Sequence, residues 1–134
     1  MSAYRNVFAV RLAIGCAGAA LARDYASDLM KTNPAAERSW RAIVPAEFRS
    51  RTWIYRLSGV ETPVEALNLH GRPFFAGNVC IPHDCGGNFV AFLIAADGRE
   101  AFGELDSEAL GVKHRYFGAP DEAAKAVLDK LARP

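Results

Sequence analysis

Asn88-Phe89-Val90-Ala91-Phe92-Leu93-Ile94-Ala95-Ala96-Asp97-Gly98 decides how this 134-residue chain is built. Residues 89–94 are apolar without a break. A strand with one wet face alternates, whereas an uninterrupted apolar run of strand length is covered on both faces and so lies centrally in its sheet. Asp97-Gly98 is a strong hairpin signal, and Arg99–Leu105 reads as the returning strand. Working upstream, Val64–Leu69 and Pro73–Val79 flank His70-Gly71-Arg72, a second tight hairpin. Thr52–Leu57 is rich in β-branched and aromatic residues and reads as a further strand. Downstream, Lys113–Phe117 adds another. The sum is an antiparallel meander of about five strands.

Helices bracket this sheet. Tyr25, Ala26 and Leu29 sit at helical spacing. Asn33 suits an N-cap and Pro34 the first helical position, so a second helix starts there, with Ala36, Trp40, Ile43 and Val44 on one face. Pro45 ends it and opens a short turn. Pro120, Asp121 and Glu122 begin a last helix whose Ala124, Val127, Leu128 and Leu131 form one stripe. Helices, then a meander, then a helix make an α+β domain with helices packed on a central antiparallel sheet.

Composition limits the function classes. About half the chain is hydrophobic and 23% is charged, the balance of a soluble globular domain. The formal charge of +1 gives no pull toward nucleic acid or an anionic membrane. No apolar run reaches the roughly 18 residues of a spanning helix. Residues 1–22 differ from the rest. Arg5 and Arg11 precede an apolar stretch rich in small residues, no acid occurs before Asp24, and Ala20-Leu21-Ala22 fits signal-peptidase cleavage. The expectation is a signal peptide over 1–22, a single domain over 23–134, and export to the periplasm. The alternatives are an amphipathic first helix, or lipid modification at Cys16, for which Ala13-Ile14-Gly15 is a poor recognition box. Cleavage removes two arginines and moves the formal charge from +1 to −1.

Cleavage also removes Cys16 and leaves an even pair, Cys80 and Cys85, in a compartment that permits disulfides. The stretch Cys80-Ile81-Pro82-His83-Asp84-Cys85 lies between two predicted strands, at a hairpin tip. Closed, it is a small ring that Pro82 stiffens further. Gly86-Gly87 gives the chain freedom to re-enter the sheet. A constrained loop on a stiff central strand suits a preorganised binding element. Three other readings stay open. The bridge could simply staple a surface hairpin. Cys80, His83, Asp84 and Cys85 could bind a metal, although their spacing is unlike a zinc ribbon and His70 and His114 stand alone in the sequence. The cysteines could do redox chemistry, although such pairs favour Cys-x-x-Cys. Catalysis by His83 would need a nucleophile, a second acid or base and a cleft, and no motif supplies them. A non-enzymatic binding protein without a cofactor is expected.

The chain resembles the Ivy family, inhibitors of vertebrate lysozyme. The resemblance rests on Cys80-Ile81-Pro82-His83-Asp84-Cys85-Gly86, the apolar strand through Ile94 and a turn-in at Gly103. Upstream it rests on the Tyr25–Leu29 helix, Trp40, Pro45-x-x-Phe48 and Trp53. It implies a periplasmic protein used in evasion of host defence. It also implies a central antiparallel sheet and a protruding ring that enters the active-site cleft of C-type lysozyme. His83 would hydrogen-bond the two catalytic carboxylates there. Ile81 stands where the best-known members carry lysine, which puts affinity for lysozyme in question. Lytic transglycosylases, which cut the same glycan, are the alternative partner. The resemblance leaves a homodimer open.

Overall fold

The computed structural model describes residues 24–133. The expected leader over 1–22 lies outside them. The elements in chain order are α1 (Ala26–Thr32), α2 (Pro34–Ile43), a 3-10 turn (Ala46–Phe48), α3 (Thr52–Tyr55), β1 (Val60–Glu61), β2 (Glu65–Leu69), β3 (Arg72–Cys80), β4 (Asn88–Ala95), β5 (Ala101–Ser107), β6 (Val112–Phe117) and α4 (Glu122–Ala132). All strand pairs are antiparallel. The path is β1-β3-β4-β5-β6, with β2 pairing on the same edge of β3 as β1. The structure is the expected α+β meander, with the two-residue β1 as an addition.

β4 is the middle of the sheet, and its composition explains why. Val90, Phe92 and Ile94 point to one face and join a core with Trp40 and Ile54 from the N-terminal helices and Leu57 just beyond them. Ala91, Leu93 and Ala95 point to the other and pack with Ala124 and Leu128 of α4. Successive side chains alternate between faces, so an unbroken apolar run serves two cores at once. The N-terminal helices cover one side and α4 the other.

Local signals set most boundaries. Asn33 caps α2 by accepting the Ala36 amide at 3.1 Å, with Pro34 at the first helical position. Asp121 caps α4 by accepting the Ala124 amide at 2.9 Å. Leu69 pairs with Arg72 across a two-residue turn in which His70 and Gly71 both have positive φ, +54° and +73°, the signature of a type I′ hairpin. The second hairpin is looser than expected. The Ala95 amide donates to the Glu100 carbonyl at 2.9 Å, so residues 96–99 form the loop and Asp97-Gly98 sits inside it.

Two expectations are corrected. Thr52–Leu57 is not a strand; its first four residues form α3. Trp53, Ile54 and Leu57 are buried together, and the i, i+1, i+4 spacing brings them to one side only if the chain coils. The Trp40 indole N–H donates to the Ile54 carbonyl at 2.8 Å and fixes the coil from outside. Packing thus overrides the β-propensity of the residues. Gly103 does not turn the chain either. It lies within β5, where a Cβ would stand 2.7 Å from the Trp40 ring. Its role is close approach: Trp40 lies over the sheet there and meets Phe92 edge-on at 6.4 Å.

Candidate functional site

The ring sits at the tip between β3 and β4. Cys80 is the last residue of β3, 8% exposed, and is bonded to Cys85 with a Cα–Cα separation of 5.0 Å. Bonded to each other, the two sulfurs are not thiolate metal ligands in this state. Pro82, His83, Asp84, Cys85 and Gly86 are all exposed. Within the ring the Asp84 amide donates to the Ile81 carbonyl at 3.0 Å, closing a β-turn. Pro82 occupies its second position. His83 occupies the third with φ +69°, the marks of a type II turn. That third position ordinarily holds glycine or asparagine, so an imidazole here carries backbone strain that the surrounding ring sustains. The expected glycine freedom is elsewhere than anticipated. Neither Gly86 nor Gly87 has positive φ. A Cβ at Gly87 would lie 2.8 Å from the carboxyl end of the exposed Glu108 side chain, which can swing aside.

The ring is tied to the sheet through a residue that sequence reasoning missed. Asn88, 1% exposed, opens β4. Its Nδ2 donates to the Asp84 carboxylate at 2.8 Å. Its Oδ1 accepts the Ser107 hydroxyl at 2.6 Å and the Ala109 amide at 3.0 Å. The Ile81 amide donates to the Asn88 carbonyl at 3.2 Å. Asp84 therefore braces the ring against β4 and β5, which answers what its carboxylate does in the free protein. The available signal was an asparagine directly before an apolar strand, but asparagine there reads equally well as a plain turn residue. Ile81 is half-buried and packs against the N-terminal core, so it presents only part of its side chain to solvent.

A second polar cluster lies beside the ring base. A groove of about 560 Å³ runs from Gly86, Gly87 and Phe89 to Asp106, His114 and Arg133. Glu104 and Asp106 are two apart on β5 and share its α4 face. Glu104 is fully buried. Burial, with Asp129 and Asp106 nearby, pushes its carboxyl up to about 8. Asp129 is held below its ordinary value by hydrogen bonds from Glu104 and Tyr116. The Tyr116 hydroxyl donates to Asp129 at 2.9 Å, and burial followed by that carboxylate pushes the phenol up to about 12. His114, isolated in the sequence, reaches this cluster because β6 bulges. Leu105 pairs with Arg115 but Ser107 with Val112, so Lys113 and His114 together oppose Asp106. His114 has φ +50°, and its Nδ1 lies 3.1 Å from Glu104 Oε2.

The ring is an exposed, covalently closed loop on a hairpin braced by the sheet. The model of the family described as "Inhibitor of vertebrate lysozyme (Ivy)" matches residues 35–132. The chain belongs to the Ivy family, a family of inhibitors and not of enzymes. It is 29% identical over 108 residues to a protein of Pseudomonas aeruginosa named "Inhibitor of vertebrate lysozyme", covering 72% of this chain and 71% of that one. It is also 28% identical over 114 residues to an uncharacterised protein of the same organism, covering 78% and 74% of the two chains. With an uncharacterised protein of Yersinia pestis it shares 23% identity over 105 residues, covering 71% and 68%.

Proposed function

We propose that this chain is a periplasmic inhibitor of C-type lysozyme that inserts the Cys80–Cys85 ring, led by His83, into the enzyme's active-site cleft. The observation that carries this is the pairing of exposure with constraint: His83 is solvent-exposed and strained, on a ring closed by a disulfide and anchored through Asn88. A retaining glycosidase holds two carboxyl groups about 5 Å apart across its scissile bond. An imidazole has two ring nitrogens and bridges such a pair, and an ionised carboxylate favours its imidazolium form. Charge-assisted hydrogen bonds of this kind are worth roughly 1.5–3 kcal/mol each. The ring meets most of its ordering cost before encounter, which favours affinity. Export to the periplasm is supported by the disulfide and by the composition of the leader.

Ile81 favours a second reading of the partner. Packed partly on the core, it brings no ammonium group toward the carboxylates. A lytic transglycosylase, cutting the same polymer, is then the other candidate for the same ring. Binding of the oxidised protein to a C-type lysozyme and to a periplasmic transglycosylase, each with and without a short chitin oligosaccharide in the cleft, tests both. Oligosaccharide-sensitive binding to lysozyme supports the first reading. Such binding only to the transglycosylase supports the second. Oligosaccharide-insensitive binding contradicts insertion.

A further inference from the structure

We propose that Glu104, Asp106 and His114 form a site for a divalent transition-metal ion in the groove beside the ring base. The inference does not depend on the inhibitory reading. The three side chains offer one ligand atom each, all within 4.8 Å of one another. His114 Nδ1 lies 3.1 Å from Glu104 Oε2 and 3.9 Å from Asp106 Oδ2. Ligands bound tetrahedrally at 2.0–2.1 Å stand roughly 3.3 Å apart, so small side-chain shifts bring all three onto one ion.

A second observation points to a ligand. Asp106 is 8% exposed, and its Oδ1 is occupied by the His114 amide at 3.1 Å. Its Oδ2 faces the imidazole and is buried with no hydrogen-bond partner among the described residues. Glu104 is fully buried and shares a hydrogen bond with Asp129, so Asp106 Oδ2 is the unmet acceptor that faces His114. Buried acceptors left unmet are costly, and a cation relieves that cost.

Among the described residues, Lys113 and Arg133 line the groove, and Arg133 is the cation that reaches the cluster. Arg133, the residue after α4, is half-exposed, with Nη2 3.7 Å from both Glu104 Oε2 and Asp106 Oδ2. Those separations are too long for hydrogen bonds, but the same Nη2 lies 2.9 Å from His114 Nδ1, so an ion ligated there must displace it. The guanidinium acts as a counter-charge that an ion can displace. One imidazole with two carboxylates suits Zn²⁺ or Mn²⁺ better than the all-oxygen shells of Mg²⁺ or Ca²⁺. Three protein ligands also leave a fourth position toward the groove.

Calorimetric titration of the oxidised protein with ZnCl₂ tests this, with circular dichroism confirming that each variant folds. One ion should bind. His114→Ala and Asp106→Asn should each weaken binding by roughly tenfold or more. Arg133→Ala should strengthen it, and His83→Ala should leave it unchanged. Co²⁺ in place of Zn²⁺ should give visible absorption bands that His114→Ala abolishes. Absence of binding in both the parent and Arg133→Ala overturns the proposal. So does binding that survives His114→Ala or is lost in His83→Ala.

Discussion

Truncation of Asn88 to alanine tests whether the ring is braced by the sheet. The side chain is 1% exposed and joins three elements: Asp84 in the ring, Ser107 at the end of β5, and Ala109 beyond it. Asn88→Ala removes these bonds and leaves the Ser107 hydroxyl, itself 1% exposed, without its acceptor. Each hydrogen bond contributes about 1 kcal/mol net, and an abandoned buried partner costs about 1–3 kcal/mol. The variant should therefore lose about 2–4 kcal/mol of stability, read by urea unfolding. Asp84→Ala cuts only the ring side of the anchor but takes the carboxylate from Asn88 Nδ2, and should lose about 1–2 kcal/mol. Both should weaken inhibition by about five- to thirtyfold, the equivalent of 1–2 kcal/mol in ring ordering. In the double variant the two inhibition losses should not add, because they break one link. Additive losses would mean that Asp84 contacts the partner independently. An unchanged inhibition constant in Asn88→Ala would refute the bracing argument.

Three further outcomes follow from the geometry. Glu104 has its carboxyl raised from 4.5 to about 8 by burial, so its neutral form is favoured on folding. Its contribution to stability is complete below about pH 4.5 and is lost as pH rises toward 8; Glu104→Gln should flatten that decline and leave the protein more stable than the parent above pH 8, as read by thermal unfolding across pH. Gly103→Ala places a Cβ 2.7 Å from the Trp40 ring and should cost about 1–3 kcal/mol, with a shifted indole emission; an unchanged emission and stability would show that Trp40 does not need this space. Reduction of Cys80–Cys85 should weaken inhibition and leave far-ultraviolet circular dichroism intact, since a six-residue ring contributes only about 2 kcal/mol by chain entropy; global unfolding on reduction would contradict a ring mounted on an independent sheet.

The sheet was legible because its signals are local or repetitive. Residues 89–94 required two covered faces, and His70-Gly71 and Asp97-Gly98 marked the reversals. The ring was legible as six contiguous residues. What escaped depends on contacts distant in sequence. Thr52–Tyr55 has strand composition but coils because Trp53, Ile54 and Leu57 must meet one core. Asn88 matters through Ser107 and Ala109, about twenty residues away. Glu104 and Asp106 showed only as two acids at strand spacing, and nothing local announces the bulge that brings His114 to them. The strained turn position of His83 was hidden for the opposite reason: Gly86-Gly87 offered a more obvious place for unusual backbone angles.

The most direct measurement is residual C-type lysozyme activity on bacterial walls during titration with the oxidised protein and with its His83→Ala variant. The parent should inhibit stoichiometrically. The variant, having lost the bridging imidazole, should bind about 2–4 kcal/mol more weakly, the range of a strong hot spot. Equal inhibition by the two proteins, or none by the parent, would contradict an imidazole placed between the catalytic carboxylates.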